Sequence, residues 1–168
     1  MNILKSFILA LLLGPAMVAN SMASTRITVE VVNNTSDTLE MINILSELPV
    51  HPDVTLDLYD VPAKTTRDFQ FVHNRKFTYP AAGWQPSLRK IQPIELVVSY
   101  QLGNINFGCQ MKTRFEAPIG FGVLEPSYRP DRKSETAYTG NGNYTCRSEI
   151  AQKMLEPPFN YTVRLIVE

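Results

Sequence analysis

The two cysteines are the residues of this chain whose chemistry is easiest to infer. Cys109 and Cys146 are the only cysteines among 168 residues, and they lie 37 positions apart. Redox-active cysteine pairs are closely spaced, and a zinc site needs further thiol or imidazole ligands nearby. In an exported chain, an even cysteine count is typical of a disulfide. We therefore predict one structural disulfide between Cys109 and Cys146, which leaves no thiol for catalysis.

Other groups able to do chemistry are sparse. The only imidazoles belong to His51 and His73, and either could act as a general base, although a lone histidine is more often a surface residue. Asp53, Asp57 and Asp60 offer carboxylates to a calcium ion, but their spacing does not match an EF-hand loop. The motifs of serine hydrolases, zinc proteases and P-loop proteins are not present. We expect no catalytic residue, no metal site and no cofactor.

One segment, residues 75–90, combines aromatic and cationic side chains with proline and glycine. It contains the only tryptophan of the chain and has a basic pair at each end. Aromatic rings beside cations suit anionic lipid headgroups, and they can also stack on a sugar or anchor a protein partner. Alternatively, Trp84 covers the core from a loop and the cations are simply solvated. The predicted contact residues are Arg75, Lys76, Tyr79, Trp84, Arg89 and Lys90.

The first 23 residues have the three-part pattern of a secretory signal peptide. Lys5 precedes the apolar run 7–13, and Ser21-Met22-Ala23 supplies the small residues that a signal peptidase requires. The run is shorter than the roughly 20 residues of a membrane span. We predict cleavage after Ala23, with Ala19 as the alternative, and a secreted or periplasmic product without a transmembrane segment.

The rest of the chain, residues 24–168, is expected to form one domain built from about eight strands. Short segments alternate polar and apolar residues and are separated by turn residues, which is typical of antiparallel strands. Gly103-Asn104 is a hairpin signal, and 117–133 is expected to be a long ordered loop. The predicted strands cover Arg26–Val32, the first part of Thr38–Leu48, Val54–Leu58, Asp68–Val72, Ile94–Leu102, Ile105–Phe115, a hairpin within Thr136–Ser148, and Asn160–Val167.

This pattern predicts an all-β fold, an antiparallel β-sandwich or alternatively a small β-barrel. The 16 basic and 16 acidic residues cancel, which removes the electrostatic case for nucleic acid as a partner. The charges are nevertheless unevenly distributed, with a balance of −6 over residues 24–63 and +5 over residues 64–90. Four glycosylation sequons occur, at Asn33, Asn34, Asn143 and Asn160.

The chain resembles chaperone-assembled pilus subunits in its export signal, its single disulfide and its alternating final strand, Tyr161 to Val167. Those subunits usually have the disulfide in the first part of the mature chain, whereas here it lies in the last part. The resemblance implies a structural subunit that assembles through edge strands.

Our leading hypothesis is a secreted or periplasmic, non-enzymatic module that contacts a surface, lipid, glycan or protein through the Trp84 segment. The alternatives are a pilus-like assembly subunit and a small secreted hydrolase that uses His51 or His73.

Overall fold

The computed structural model describes residues 22–46, 55–76, 93–103, 105–121, 126–140, 143–156 and 158–168. The predicted signal peptide lies outside these ranges except for Met22 and Ala23, which begin the first strand. Within the described ranges, no helix is long and apolar enough to cross a bilayer.

The described residues form ten strands and one short 3-10 helix, Leu56–Tyr59. The strands are β1 (Met22–Asn33), β2 (Leu39–Ser46), β3 (Thr66–Lys76), β4 (Ile94–Leu102), β5 (Phe107–Glu116), β6 (Ile119–Phe121), β7 (Pro126–Tyr128), β8 (Asp131–Gly140), β9 (Cys146–Lys153) and β10 (Tyr161–Val167). The fold is all-β, as predicted. The two shortest strands, β6 and β7, form a separate hairpin.

The other eight strands form two four-stranded sheets that pack as a β-sandwich. The first sheet has the order β3-β1-β10-β9, and the second has the order β2-β4-β5-β8. All neighbours are antiparallel except β1 and β10, which pair in parallel from Ile27 opposite Tyr161 to Asn33 opposite Val167. This pair departs from the antiparallel prediction. Parallel strands cannot be joined by a hairpin, and here almost the whole chain forms the connection between them.

The core lies between the two sheets, where alternate residues of each strand point inward. One alternating face of β4 is fully buried, and so is one alternating face of β5. In β10, the four alternating residues from Tyr161 to Val167 are also buried. These inward residues are Ile94, Leu96, Val98, Tyr100 and Leu102 of β4, Phe107, Cys109, Met111, Thr113 and Phe115 of β5, and Tyr161, Val163, Leu165 and Val167 of β10.

Cys109 of β5 and Cys146 of β9 form a disulfide, which confirms the predicted pair. β5 is an inner strand of the second sheet and β9 is an edge strand of the first, so the bond links the two sheets. Both cysteines are buried, and their Cα atoms lie 6.0 Å apart. Because disulfides persist in oxidising compartments, the bond indicates a non-cytoplasmic protein.

The prediction of a strand over Val54–Leu58 is wrong for the residues that the structure describes. Leu56–Tyr59 is a 3-10 helix, and Leu56 and Leu58 are exposed rather than inward. Val54 lies outside the described residues. The helical turn brings the Tyr59 ring to 5.1 Å from the ring of Phe69. The segment thus contributes one aromatic side chain that packs against the core, not a further strand.

The segment 117–133 is also more regular than predicted. It contains β6 and β7, and β8 begins at Asp131 rather than at Thr136. The first half of β8 is almost entirely polar because β8 is an edge strand, and its composition therefore resembles a loop. The β4–β5 connection is a hairpin, as predicted, but it spans residues 103–106 instead of two residues.

Candidate functional site

The strand topology gathers several chain connections at one end of the sandwich, which we call the loop end. β3 ends there at Lys76 and β4 begins there at Ile94. In the same region, β9 ends at Lys153 and β10 begins at Tyr161. The two strands that flank the predicted Trp84 segment therefore both terminate at the loop end.

Aromatic packing joins the two sheets at this end. Phe115, near the end of β5, lies opposite Ile94 in the second sheet. Its ring is 6.1 Å from the ring of Tyr161 and 5.8 Å from the ring of Phe159. The Tyr161 hydroxyl lies 3.2 Å from Oγ1 of Thr113. Burial raises the pKa of Tyr161 to about 12, so this phenol stays neutral at physiological pH.

Arg132, the second residue of β8, fixes the connection between β9 and β10. Its guanidinium lies over the ring of Phe115 at 5.2 Å and over the ring of Tyr161 at 5.6 Å. Its Nη2 donates to the carbonyl oxygens of Met154 and Phe159. Burial lowers the pKa of Arg132, but a guanidinium remains charged at any physiological pH. This one side chain therefore holds both ends of the 154–159 connection against the core.

The connection held by Arg132 exposes two adjacent apolar side chains. Met154 is 48% exposed and Leu155 is 68% exposed. Single exposed apolar residues are common on protein surfaces, whereas larger apolar patches mark contact sites. These two neighbouring side chains lie on a backbone that Arg132 holds in place, so they are a candidate contact point. The exposed Lys153 precedes them.

The predicted contact residues fall only partly within the structure. Arg75 and Lys76 are the last residues of β3, and their backbones pair with Ala23 and Met22. The remaining predicted contact residues, Tyr79, Trp84, Arg89 and Lys90, lie outside the described residues. The structure thus places one basic pair at the loop end, and the contact role of the segment stays a prediction.

The opposite end of the sandwich, which we call the closed end, is joined by hydrogen bonds around the buried side chain of Asn33. Its Nδ2 donates to the carbonyl oxygens of Asp37, Val61 and Pro62 at 2.8, 2.9 and 3.1 Å. Its Oδ1 accepts from the backbone N–H and the hydroxyl of Thr35. These bonds tie the β1–β2 turn to the segment that precedes β3.

The same contacts distinguish the four sequons. Asn33 is buried, and its amide nitrogen is already engaged, so the folded protein cannot present it for glycosylation. Asn160 is half-buried, and its Oδ1 accepts from the backbone N–H of Arg26. Asn34 and Asn143 are exposed.

The histidine and aspartate candidates do not form a recognisable site in the described part of the chain. His51 and Asp53 lie outside it, and His73 is half-buried in β3. Asp57 is exposed in the 3-10 helix, while Oδ1 of Asp60 accepts from a backbone N–H of β2 at 2.8 Å. Among the described residues, no three histidine, cysteine, aspartate or glutamate side chains group to hold a metal ion.

A shallow depression of about 250 Å³ lies on the outer face of the second sheet. Its charges are of both signs and are largely paired with each other and with neighbours. Glu95 accepts from Lys112 at 3.2 Å and from Arg114 at 3.5 Å. Exposed pairs of this kind contribute little binding energy, so the depression is a solvated face rather than a site. Its lining residues are Lys112, Arg114, Glu116, Lys133 and Glu135.

No protein-family model matches the chain, and a search of curated proteins finds no match either. The function must therefore be argued from the loop end itself. Sequence reasoning did not identify Arg132, Met154 or Leu155 as parts of that end. The available signal was an apolar pair, Met154-Leu155, just before two prolines, whereas Arg132 stands in a polar run without any distinguishing feature.

Proposed function

We propose that the chain is an exported, secreted or periplasmic, non-enzymatic binding module whose contact surface is the loop end. One observation carries this proposal. The strands that flank the Trp84 segment and the exposed pair Met154 and Leu155 lie at the same end of the sandwich. The β-sandwich supports the loops, an arrangement that many binding proteins share.

The chemistry of this end favours an anionic lipid surface. Binding to an anionic lipid surface is strengthened by apolar side chains that enter the headgroup region and by cations that meet the anionic lipid. Met154 and Leu155 supply exposed apolar groups, and the predicted contact segment 75–90 carries four cations and no carboxylate. The exposed Lys153 adds a further cation beside the apolar pair.

The support of the loop end also favours a binding role. Arg132 fixes the backbone at Met154, within the exposed pair, and again at Phe159, and the disulfide ties the two sheets together. A surface whose backbone is already ordered loses less conformational entropy when it binds. This preorganisation would allow a small contact to contribute useful affinity.

The proposal is tested by titrating the exported, disulfide-bonded protein with vesicles of anionic or zwitterionic lipid. Because Trp84 is the only tryptophan, its fluorescence reports on the proposed contact segment alone. We expect a blue shift with anionic vesicles. Leu155→Ser should weaken vesicle cosedimentation about tenfold, because an apolar side chain no longer enters the headgroup region.

Leu58→Ser is the matched control, since Leu58 is 58% exposed but lies in the 3-10 helix. It should bind as the wild type does. Trp84→Ala, followed by cosedimentation, should bind less. Unchanged emission with both kinds of vesicle would reject the lipid proposal. If the Trp84 emission shifts instead with a glycan or a protein partner, the loop end would still be the contact surface, but its ligand would not be lipid.

The two alternatives receive less support. In the pilus-like alternative, the final strand would be expected to offer a free edge, but β10 lies between β1 and β9 and pairs with both. The hydrolase alternative depends on His51, which lies outside the described residues, or on His73, and it stays a hypothesis.

A further inference from the structure

β3 forms one edge of the first sheet, and β1 is the only described strand that pairs with it. An edge strand presents backbone N–H and C=O groups that can pair with another chain. β3 is long for an edge strand, with 11 residues. On its outer face, Asp68, Gln70 and Val72 are exposed, and Val72 is 40% exposed although it is apolar.

A row of charges crosses the outer face of the first sheet and ends at this edge. Asp68, Glu30, Arg164 and Glu149 lie directly opposite one another on successive strands. Arg164 donates to Glu30 at 2.8 Å and to Glu149 at 3.1 Å. Asp68 lies beside Glu30, which carries the same charge, and forms no ion pair within the described part of the chain. The row therefore ends at the β3 edge with a carboxylate that no described residue pairs.

The order of residues along β3 is self-complementary about Val72. In an antiparallel pair related by a two-fold axis at Val72, position 68 lies opposite position 76 of the second copy, and 70 lies opposite 74. This register sets Asp68 against Lys76, Gln70 against Asn74, and Val72 against itself. Unlike charges and matched apolar pairs are the cross-strand combinations that stabilise antiparallel sheets.

Neighbouring registers that keep the same faces together are less favourable. A two-fold axis at Phe71 sets Arg67 against Arg75, which places like charges opposite each other. An axis at Gln70 sets Asp68 against Val72 and leaves the carboxylate unpaired. Only the axis at Val72 pairs Asp68 with a cation.

We propose that β3 is a dimerisation edge, which pairs antiparallel with β3 of a second copy of this chain in the register centred on Val72. The first sheet of one copy and the first sheet of the other then form one continuous sheet of eight strands. A two-fold interface of this kind is closed, so it produces a dimer and not a filament. The antiparallel arrangement directs the two loop ends away from each other.

The test is sedimentation velocity of the full exported, disulfide-bonded protein over the widest accessible concentration range. The wild type should shift from monomer to dimer as its concentration rises. Asp68→Lys and Lys76→Asp should each raise the dimer dissociation constant about tenfold or more. Each variant places like charges opposite each other at both symmetry-related positions. The double variant D68K/K76D restores opposite charges in the same register and should return to within about threefold of the wild type.

Glu135→Lys is the matched control, because Glu135 is an exposed carboxylate on β8 in the second sheet. It should leave dimerisation unchanged. Unchanged near-ultraviolet circular dichroism and thermal midpoints would establish that every variant folds. A wild type that stays monomeric at all concentrations would overturn the proposal. A double variant no better than the worse single variant would also overturn it, because it would show that these two residues are not opposite each other.

Discussion

A single buried side chain, Asn33, joins three segments of the chain at the closed end. Its amide donates to the carbonyl groups of Asp37, Val61 and Pro62, and its oxygen accepts from Thr35. A buried carbonyl group that loses its hydrogen-bond donor destabilises the folded state, because its lost hydration is no longer replaced by a hydrogen bond. The free energy of unfolding should therefore depend strongly on Asn33.

We expect Asn33→Ala to lower the free energy of unfolding by about 3 kcal/mol, because several buried polar groups lose their partner together. Urea denaturation followed by circular dichroism measures this loss. Asn34→Ala is the control, since Asn34 is exposed and its backbone bond to Val167 would remain. Similar losses in the two variants would contradict a special role for Asn33.

Two buried phenols make the free energy of unfolding depend on pH in the alkaline range. Burial raises the pKa of Tyr161 to about 12, and burial also raises the pKa of Tyr100. In the unfolded chain both phenols titrate near 10. Their contribution is therefore fully present below about pH 10, where both states are protonated, and it is lost as the pH rises toward the folded-state pKa.

We expect the free energy of unfolding to fall above pH 10 by about 1.4 kcal/mol per pH unit for each buried tyrosine. Urea denaturation at a series of pH values measures the slope. Tyr161→Phe should reduce this slope by the contribution of one tyrosine. Tyr138→Phe, at a side chain that is 59% exposed, should leave it unchanged. Equal slopes in all three proteins would exclude Tyr161 as a source.

At the scale of elements, β1 is the strand on which the first sheet depends. It lies between β3 and β10 and pairs with both. Near its start, Oγ1 of Thr25 donates to the carbonyl oxygen of Pro158 at 2.7 Å. The predicted cleavage after Ala23 would remove two residues of β1 and keep this contact.

We predict that the exported product begins at Ser24, because the small residues of Ser21-Met22-Ala23 match the signal peptidase pattern and Thr25 is retained. Intact-mass spectrometry of the purified protein gives its first residue. Cleavage after Ala19 would leave the whole of β1 and would still agree with export. A product that begins at Met1, or one that has lost Thr25, would contradict the prediction.

Elements with strict alternation were predictable, and elements with polar or ambiguous sequences were not. β5 alternates over its full length, and β4 and β10 alternate over most of theirs, because one face of each strand is buried in the core. The segment containing Leu56 and Leu58 alternates as well, yet it forms a 3-10 helix whose leucines are exposed. Over so few residues, alternation does not distinguish a strand from a turn.

At the scale of the whole molecule, the disulfide joins an inner strand of one sheet to an edge strand of the other. Cys109 and Cys146 are 37 residues apart in sequence, so the bond closes a long loop and restricts the unfolded chain. Thr136 adds a hydrogen bond from its Oγ1 to the carbonyl oxygen of Cys146 at 3.2 Å. The bond therefore contributes to the stability of the entire sandwich.

We expect the double variant C109A/C146A to lose about 4 kcal/mol of the free energy of unfolding, a large part of the 5–15 kcal/mol typical of a domain. Urea denaturation of the oxidised wild type and the variant measures the difference. Reductant should destabilise the wild type and leave the variant unchanged. A wild type that reductant does not affect would show that the bond contributes nothing.

The amino-acid sequence by itself determined the fold class, most of the strands and the cysteine pair. Each of these depends on local alternation or on a count, and both can be read without knowing which strands are neighbours. The tertiary structure alone decided that β1 lies parallel to β10, and that Arg132 and Asn33 hold opposite ends of the sandwich. Their partners are distant in sequence, and the energy of such contacts exists only once the two sheets have packed.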